Sequence, residues 1–393
     1  MFKGSPNRRV ILLTSTVSFI SLMMYFSFTS ILGGLKDELA LSNAQFGLLL
    51  SAFSVAYAAA QIPAGILSDR YGGKIVSSVG LSLMAIAALA FSFSKDFGVA
   101  LGLRCLIGLA GGLILPSAIR IISDWYAANE RNLAMGIFGL GQGLGFILTY
   151  SLGSIVVVLF GWRAASLFSG IIGSVAAALA WIFLRDVAKH ASPKQPLRLT
   201  GEQGYLGKLI LLIMMNFAAA CVLSGTLQFT PQFLASRFNL STIAGGFVVS
   251  LVGVTNMLAS YFGGSSSRKV GAANVVITSM LMCTVLPMLL GNSYSATSAF
   301  VLVALIGFST MFYVGPTFAG VPRAVGEKHA GTMFGVFNAV SFGLSALAPL
   351  IFGYILDNLH SYELAFTSLS IIGTIGFVAA VQLKRMRFFS ESA

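Results

Sequence analysis

GILSDRYGGK, Gly65 to Lys74, packs an Asp, an Arg and a Lys among three glycines. In this chain that density is unusual, because only 9% of the 393 residues are charged while 56% are hydrophobic. Mean hydropathy is +0.89. A water-soluble domain of this size would have to cover its surface with apolar side chains, so a soluble fold is excluded. The stretch is therefore read as a short charged turn between two membrane-spanning runs. The apolar runs on either side are long enough to cross a bilayer core as helices.

Outward from the turn, the same pattern yields twelve expected spans. In the first half they are 10–32, 45–67, 74–94, 98–121, 133–158 and 163–184. In the second they are 208–232, 242–263, 271–291, 297–320, 331–356 and 363–383. The opening MFKGSPNRR and its apolar run are read as the first span, since the run is too long for a signal peptide and lacks a small-residue cleavage site. The expected fold class is an all-α membrane protein of two pseudo-symmetric six-helix halves. The halves are residues 1–184 and 208–393. They are joined by a surface linker, 185–207, that carries Pro193, Pro196 and several basic residues.

Lys and Arg assign the sides. With the N-terminus in the cytoplasm, nineteen basic residues fall on the inner side, and only Lys36, Lys95, Arg163 and Arg237 on the outer. This bias accounts for the net charge of +12 better than nucleic-acid binding does, and it places both termini and the linker in the cytoplasm. The expected location is the cell membrane. All twelve acidic residues fall in loops or at span ends. Cys105, Cys221 and Cys283 lie in apolar runs, and His190, His329 and His360 in separate loops. No disulfide framework, metal site or cofactor is expected.

The chain also repeats itself at an offset of about 200 residues. Gly65, Asp69, Arg70 and Gly72 align with Gly264, Arg268, Lys269 and Gly271. Pro116 aligns with Pro316, and AMGIFG (134–139) with MFGVFN (333–338). Two helical halves in parallel repeat are a recurrent transporter architecture.

In this setting GILSDRYGGK resembles the signature loop between the second and third helices of the major facilitator superfamily. Gly65, Asp69, Arg70, Gly72 and Lys74 match that signature, and Gly73 replaces a basic residue. Arg104, Gly108, Gly111 and Gly112 in the fourth span are similar to a further family pattern, with Ile107 where Gln is common. Asp124 and the Glu130-Arg131 pair also follow family usage. The resemblance implies a secondary transporter in which Asp69 caps the eleventh span in one state and Arg70 or its neighbours reach Asp124. Arg268 stands where the second half would need an acid, so only the first half carries such a latch.

Arg104 is the sharpest site candidate. It lies about 10 Å inside the outer boundary at 1.5 Å per residue, where an unpartnered guanidinium is costly. It either attracts an anionic solute, for which its planar fork is suited, or bonds to helix backbone. Tyr25, Thr29, Asn216, Gln228, Thr310 and Tyr313 are placed to line a central cavity. Gln61, Gln142, Asn256 and Asn338 on flanking spans join them. Each alone reads more readily as a helix-to-helix hydrogen bond than as a ligand contact. The glycine-dense 136–145 stretch lacks the Lys-Ser/Thr of a phosphate loop.

No nucleophile, metal cluster or paired carboxylates occur at membrane depth, which excludes an embedded enzyme. Absent intramembrane acids argue against the usual proton relay and against a site for organic cations. The expected function is transport of a small organic or inorganic anion by alternating access, through exchange or symport. A drug exporter of the same fold and a transporter-like sensor or scaffold are the alternatives. Expected partners are the solute and the lipid bilayer, with no nucleic acid, and the chain is expected to act as a monomer.

Overall fold

In a computed structural model, the structure describes residues 13–17, 20, 32–126, 128–186, 205–325 and 330–389. The described regular structure is helical. In chain order the helices of the first half are α1 (Leu32–Glu38), α2 (Asn43–Tyr71), α3 (Gly73–Phe91), α4 (Phe97–Trp125) and α5 (Ala128–Phe183). Those of the second are α6 (Tyr205–Phe238), α7 (Thr242–Val270), α8 (Ala272–Gly291), α9 (Ala296–Phe312), α10 (Val314–Val325), α11 (Ala330–Ser345), α12 (Leu347–Leu359) and α13 (Tyr362–Arg385).

Ten of the described helical stretches are long and apolar enough to span a membrane. One of them, inside α5, covers both the fifth and sixth expected spans. These two join without a loop and break only at Gly161, which adopts φ 80°. The first expected span falls mostly outside the described residues. The tenth and eleventh spans are each split, between α9 and α10 at Tyr313 and between α11 and α12 at Ala346. Each split lies three residues before a proline, Pro316 and Pro349. A proline cannot donate to the carbonyl four residues earlier, which here belongs to the last residue of α9 or α11.

Helix starts follow from their caps. Ser42 and Gln45 form a reciprocal capping box at α2, with hydrogen bonds of 3.0 and 3.1 Å. The Asp96 carboxylate accepts from the Val99 amide, 2.9 Å, at α4. Side chains such as Ile66, Leu159, Ile182 and Ile371 remain exposed, so the helices are apolar on their outward faces too, as a lipid-facing surface requires.

By contact the chain separates into two compact units, Met1–His190 with Thr242–Ser250, and Ala191–Ser241 with Leu251–Ala393. In the first, α4 crosses α2 at backbone distance. A Cβ at Gly108 would run into the Phe53 carbonyl oxygen, and one at Gly112 into that of Tyr57. Glycines four apart let the two backbones touch. In the second, α13 packs on α8 and α6. The repeat is visible in backbone angles as well. Gly72 before α3 (φ 93°, ψ 151°) and Gly271 before α8 (φ 87°, ψ 140°) adopt nearly the same left-handed turn.

Candidate functional site

Within the first unit, the α2–α4 crossing decides where Arg104 goes. Two turns into α4 its side chain meets α2, and only 3% of the residue remains exposed. The guanidinium carbon lies 4.6 Å from the centre of the Phe53 ring, and Nε lies 3.5 Å from the Leu49 carbonyl oxygen. Leu49 and Phe53 are one turn apart, so the charge lies along a single stripe of α2. A desolvated cation over an aromatic ring gains about 2 kcal/mol. Placing an Arg at mid-bilayer costs about 2.5–3.5 kcal/mol on insertion scales. The Phe53 ring and the Leu49 carbonyl are two of the groups that hold the charge in place. A planar guanidinium of this kind is chemically suited to a carboxylate or similar anion.

Within the second unit, Tyr313 occupies the break between α9 and α10, and its hydroxyl donates to Asn216 Oδ1 on α6 at 2.6 Å. Both residues are buried, and the Asn216 amide nitrogen finds no acceptor among the described residues. Gln228, also buried on α6, donates from Nε2 to Ser224 Oγ at 3.0 Å, while its Oε1 has no donor among the described residues. Each such orphan costs about 1–3 kcal/mol when left without water or ligand. Thr310 behaves differently: its hydroxyl returns to the Gly307 carbonyl at 3.0 Å, an ordinary bond within the helix. Asn338 is half-buried on α11. Among the flanking residues, Gln61 Nε2 and Asn256 Oδ1 are also unpaired among the described residues. Tyr25 and Thr29 lie outside the described residues, as does the Gln142 side chain.

At the other end of the first unit lies the charged turn. Asp69 pairs with Arg120, and Arg120 Nε also bonds Asp124 Oδ2 at 2.7 Å, one turn along α4. Arg120 thus joins the two acids that the sequence had singled out, a role not assigned to it beforehand. Its spacing of four from Asp124 on one helix face was the available signal. Ser68 and Ser117 bond 2.7 Å apart, tying α2 to α4 just inside that pair. Arg70 lies 5.2 Å from the ring centre of Tyr71. Gly65 faces open space. The side chains at the start of the eleventh span, 330–335, and that of Arg131 lie outside the described residues.

Gly72 begins α3 without a side chain of its own to cap it. The cap comes instead from Asp186 at the far end of the unit, whose Oδ1 accepts from the Lys74 amide at 2.9 Å. A Cβ at Gly72 would collide with the same carboxylate. Beside it, Trp125 Nε1 donates to the Arg185 carbonyl at 2.8 Å. At the opposite end, Glu38 receives Arg163 Nη2 at 2.6 Å and Trp162 Nε1 at 2.7 Å. The same guanidinium reaches the Ser92 and Ser94 carbonyls at 2.6 and 2.9 Å. The hydrogen bond from Arg163, then that from Trp162, holds the Glu38 carboxyl below the usual glutamate range. Neither Asp186 nor Glu38 was marked by any local motif.

With this geometry in place, the chain can be set beside known proteins. A sequence model of the Major Facilitator Superfamily matches residues 14–349. The chain is 25% identical over 390 residues to a "Probable L-galactonate transporter" of Escherichia coli K12, covering 89% of this chain and 83% of that one. It is 25% identical over 383 residues to a "Probable sulfoacetate transporter" of Cupriavidus necator, covering 88% and 86%. The "Hexuronate transporter" of Bacillus subtilis is 24% identical over 382 residues, covering 89% and 88%. Among solved structures, a bacterial homologue of the human lysosomal transporter Spinster, inward-facing and unoccupied, superposes with a TM-score of 0.80. That match covers 99% of both chains at 18% identity and shows likeness of fold.

Proposed function

The chain belongs to the Major Facilitator Superfamily, and on that premise we propose that it carries a small organic acid across the cell membrane by alternating access. It is a multi-pass membrane transporter, not an enzyme. The observation that carries the substrate reading is Arg104, a guanidinium buried against the Phe53 ring and the Leu49 carbonyl. The names of the relatives support it: galactonate, sulfoacetate and hexuronate each bear a carboxylate or sulfonate. A planar fork matches a carboxylate with two parallel hydrogen bonds. Within the second unit, the Asn216 amide nitrogen and the Gln228 amide oxygen, each without a partner among the described residues, are groups of the kind that bond hydroxyls.

The proposed orientation keeps both termini in the cytoplasm, where the basic residues concentrate. The proposed coupling is exchange against a second anion, because no acid lies deep in the predicted spans to relay a proton. The test is uptake by proteoliposomes of radiolabelled sugar acids, a sulfonate and a neutral sugar. Saturable uptake of an acid, competed by other acids and not by the neutral sugar, supports the reading. Uptake of the neutral sugar alone sinks it.

A further inference from the structure

The backbone crossing that seats Arg104 recurs in the second unit, and the two copies differ in two side chains. In the first unit, a Cβ at Gly108 would collide with the Phe53 carbonyl oxygen and lie 2.9 Å from Ala56 Cβ. In the second, one at Gly307 on α9 would lie 2.9 Å from Val252 Cα and 2.5 Å from Thr255 Oγ1, both on α7. The offset of 199 that relates Gly72 to Gly271 carries Gly108 to Gly307, Phe53 to Val252 and Ala56 to Thr255. Equivalent residues thus crowd an equivalent glycine in both units, as close helix packing requires.

The same offset carries Arg104 to Val303. The second copy therefore has valine where the first has Phe53 and where it has Arg104, and Val252 and Val303 are buried, 1% and 0% exposed. Ring and guanidinium are present together in one copy and absent together in the other. The crossing itself packs without an aromatic residue, so Phe53 needs a reason of its own. Arg104 supplies it, with its guanidinium carbon 4.6 Å from the ring centre. The ring is buried and stacks on Tyr57 one turn along α2, with centroids 5.9 Å apart and planes at 19°. Attraction between the electron-rich face of the ring and the cation restricts where the guanidinium can lie. A side chain ordered before a solute arrives loses less freedom on binding, which tightens the complex.

We propose that Phe53 is a positioning residue for solute binding: its ring face orders the Arg104 fork in advance and so sets the affinity for an acid. It acts through Arg104, and the inference rests on the reading that Arg104 meets the acid.

The test replaces Phe53, in the full chain, with mono-, di- and trifluorinated phenylalanine. Each fluorine withdraws electron density from the ring face and weakens its hold on a cation, while the side chain nearly keeps its shape. Uptake of radiolabelled galactonate and of sulfoacetate is measured in proteoliposomes, beside the variants Phe53→Leu and Arg104→Ala. KM should rise stepwise with each fluorine, by about threefold or more at the third, with kcat nearly kept. Phe53→Leu should raise KM at least as far as the trifluorinated ring does. A ring that only fills space would leave the fluorinated series flat. A flat series together with uptake lost in Arg104→Ala overturns the inference and leaves the reading of Arg104 standing. Uptake kept in Arg104→Ala, or no saturable uptake of either acid by the wild type, overturns both. If Phe53→Leu fails to fold, the fluorinated chains still decide between positioning and packing.

Discussion

Asp69 and Arg120 are bonded to one another across the ends of α2 and α4, 51 residues apart in the chain. Both side chains are substantially exposed, 60% and 36%, so the pair contributes at most about 1 kcal/mol to stability. Its use lies in geometry: it sets the end of α2 against α4 and also orients Asp124.

That sets the first prediction. Asp69→Asn and Arg120→Gln should each leave the melting temperature nearly unchanged and should shift, in the same direction, the balance of inward and outward accessibility measured by cysteine labelling. If Asp69 acts only on the eleventh span, Arg120→Gln will label like the wild type, and the pairing seen here is incidental to gating.

Arg104 carries the second. Arg104→Ala should reduce uptake of the acid by at least tenfold, consistent with losing a charge-assisted bond of about 1.5–3 kcal/mol. Arg104→Lys keeps the charge but loses the planar fork, and should recover only a small part of the rate, with a raised KM. Uptake by Arg104→Lys equal to the wild type would show that the fork makes no contact with the solute.

How far the sequence foretold these arrangements follows from the range of each interaction. Spans and repeat were legible because hydropathy and motif spacing act locally along the chain. The repeat even anticipated the shared turn of Gly72 and Gly271. Arg104 was legible from its depth alone. Its seat against Leu49 and Phe53 was not, since that depends on the backbone crossing permitted by Gly108 and Gly112. Arg120 was counted as an inner-side cation, and its bond to Asp69 depends on the same crossing. Asp186 was invisible because it caps a helix at Lys74, 112 residues earlier. Proline was an ambiguous signal too: Pro116 sits inside an unbroken α4, whereas Pro316 and Pro349 each follow a break.

Asp186 provides the third prediction. Removing a helix cap costs about 1 kcal/mol, so Asp186→Ala should lower the melting temperature modestly. Gly72→Ala should cost more, because it combines left-handed strain of about 1–2 kcal/mol with collision against the Asp186 carboxylate. The double variant Gly72→Ala with Asp186→Ala removes the collision and should therefore be less destabilised than the sum of the two single changes. Strict additivity would mean that the two groups do not meet.

The fourth concerns acid. Glu38 titrates below its ordinary range in the folded protein because Arg163 and Trp162 bond its charged form. A carboxyl with a depressed folded-state value stabilises above its unfolded value, and loses that contribution as pH falls through the folded one. The clasp on Ser92 and Ser94 should therefore persist at neutral and mildly acidic pH and open only below the usual glutamate range. Glu38→Gln should abolish that part of the pH dependence of the melting temperature while leaving the profile near neutrality parallel to that of the wild type. An unchanged acid limb in Glu38→Gln would assign the effect to another group.

Tyr313 and Asn216 separate stability from transport. Tyr313→Phe strips the hydroxyl from Asn216 Oδ1 and leaves the whole buried amide unpaired among the described residues, at a cost of about 1–3 kcal/mol. It should lower the melting temperature and, if the amide is also a solute contact, slow uptake. Asn216→Leu removes the orphaned amide altogether, so combined with Tyr313→Phe it should restore most of the lost stability, as apolar replacement of both buried partners does. A solute that needs the Asn216 amide gains nothing from that repair. The double variant should melt close to the wild type and still fail to transport. Recovery of both properties together would make the pair a packing contact, and would shift the search for the hydroxyl-binding groups to Gln228.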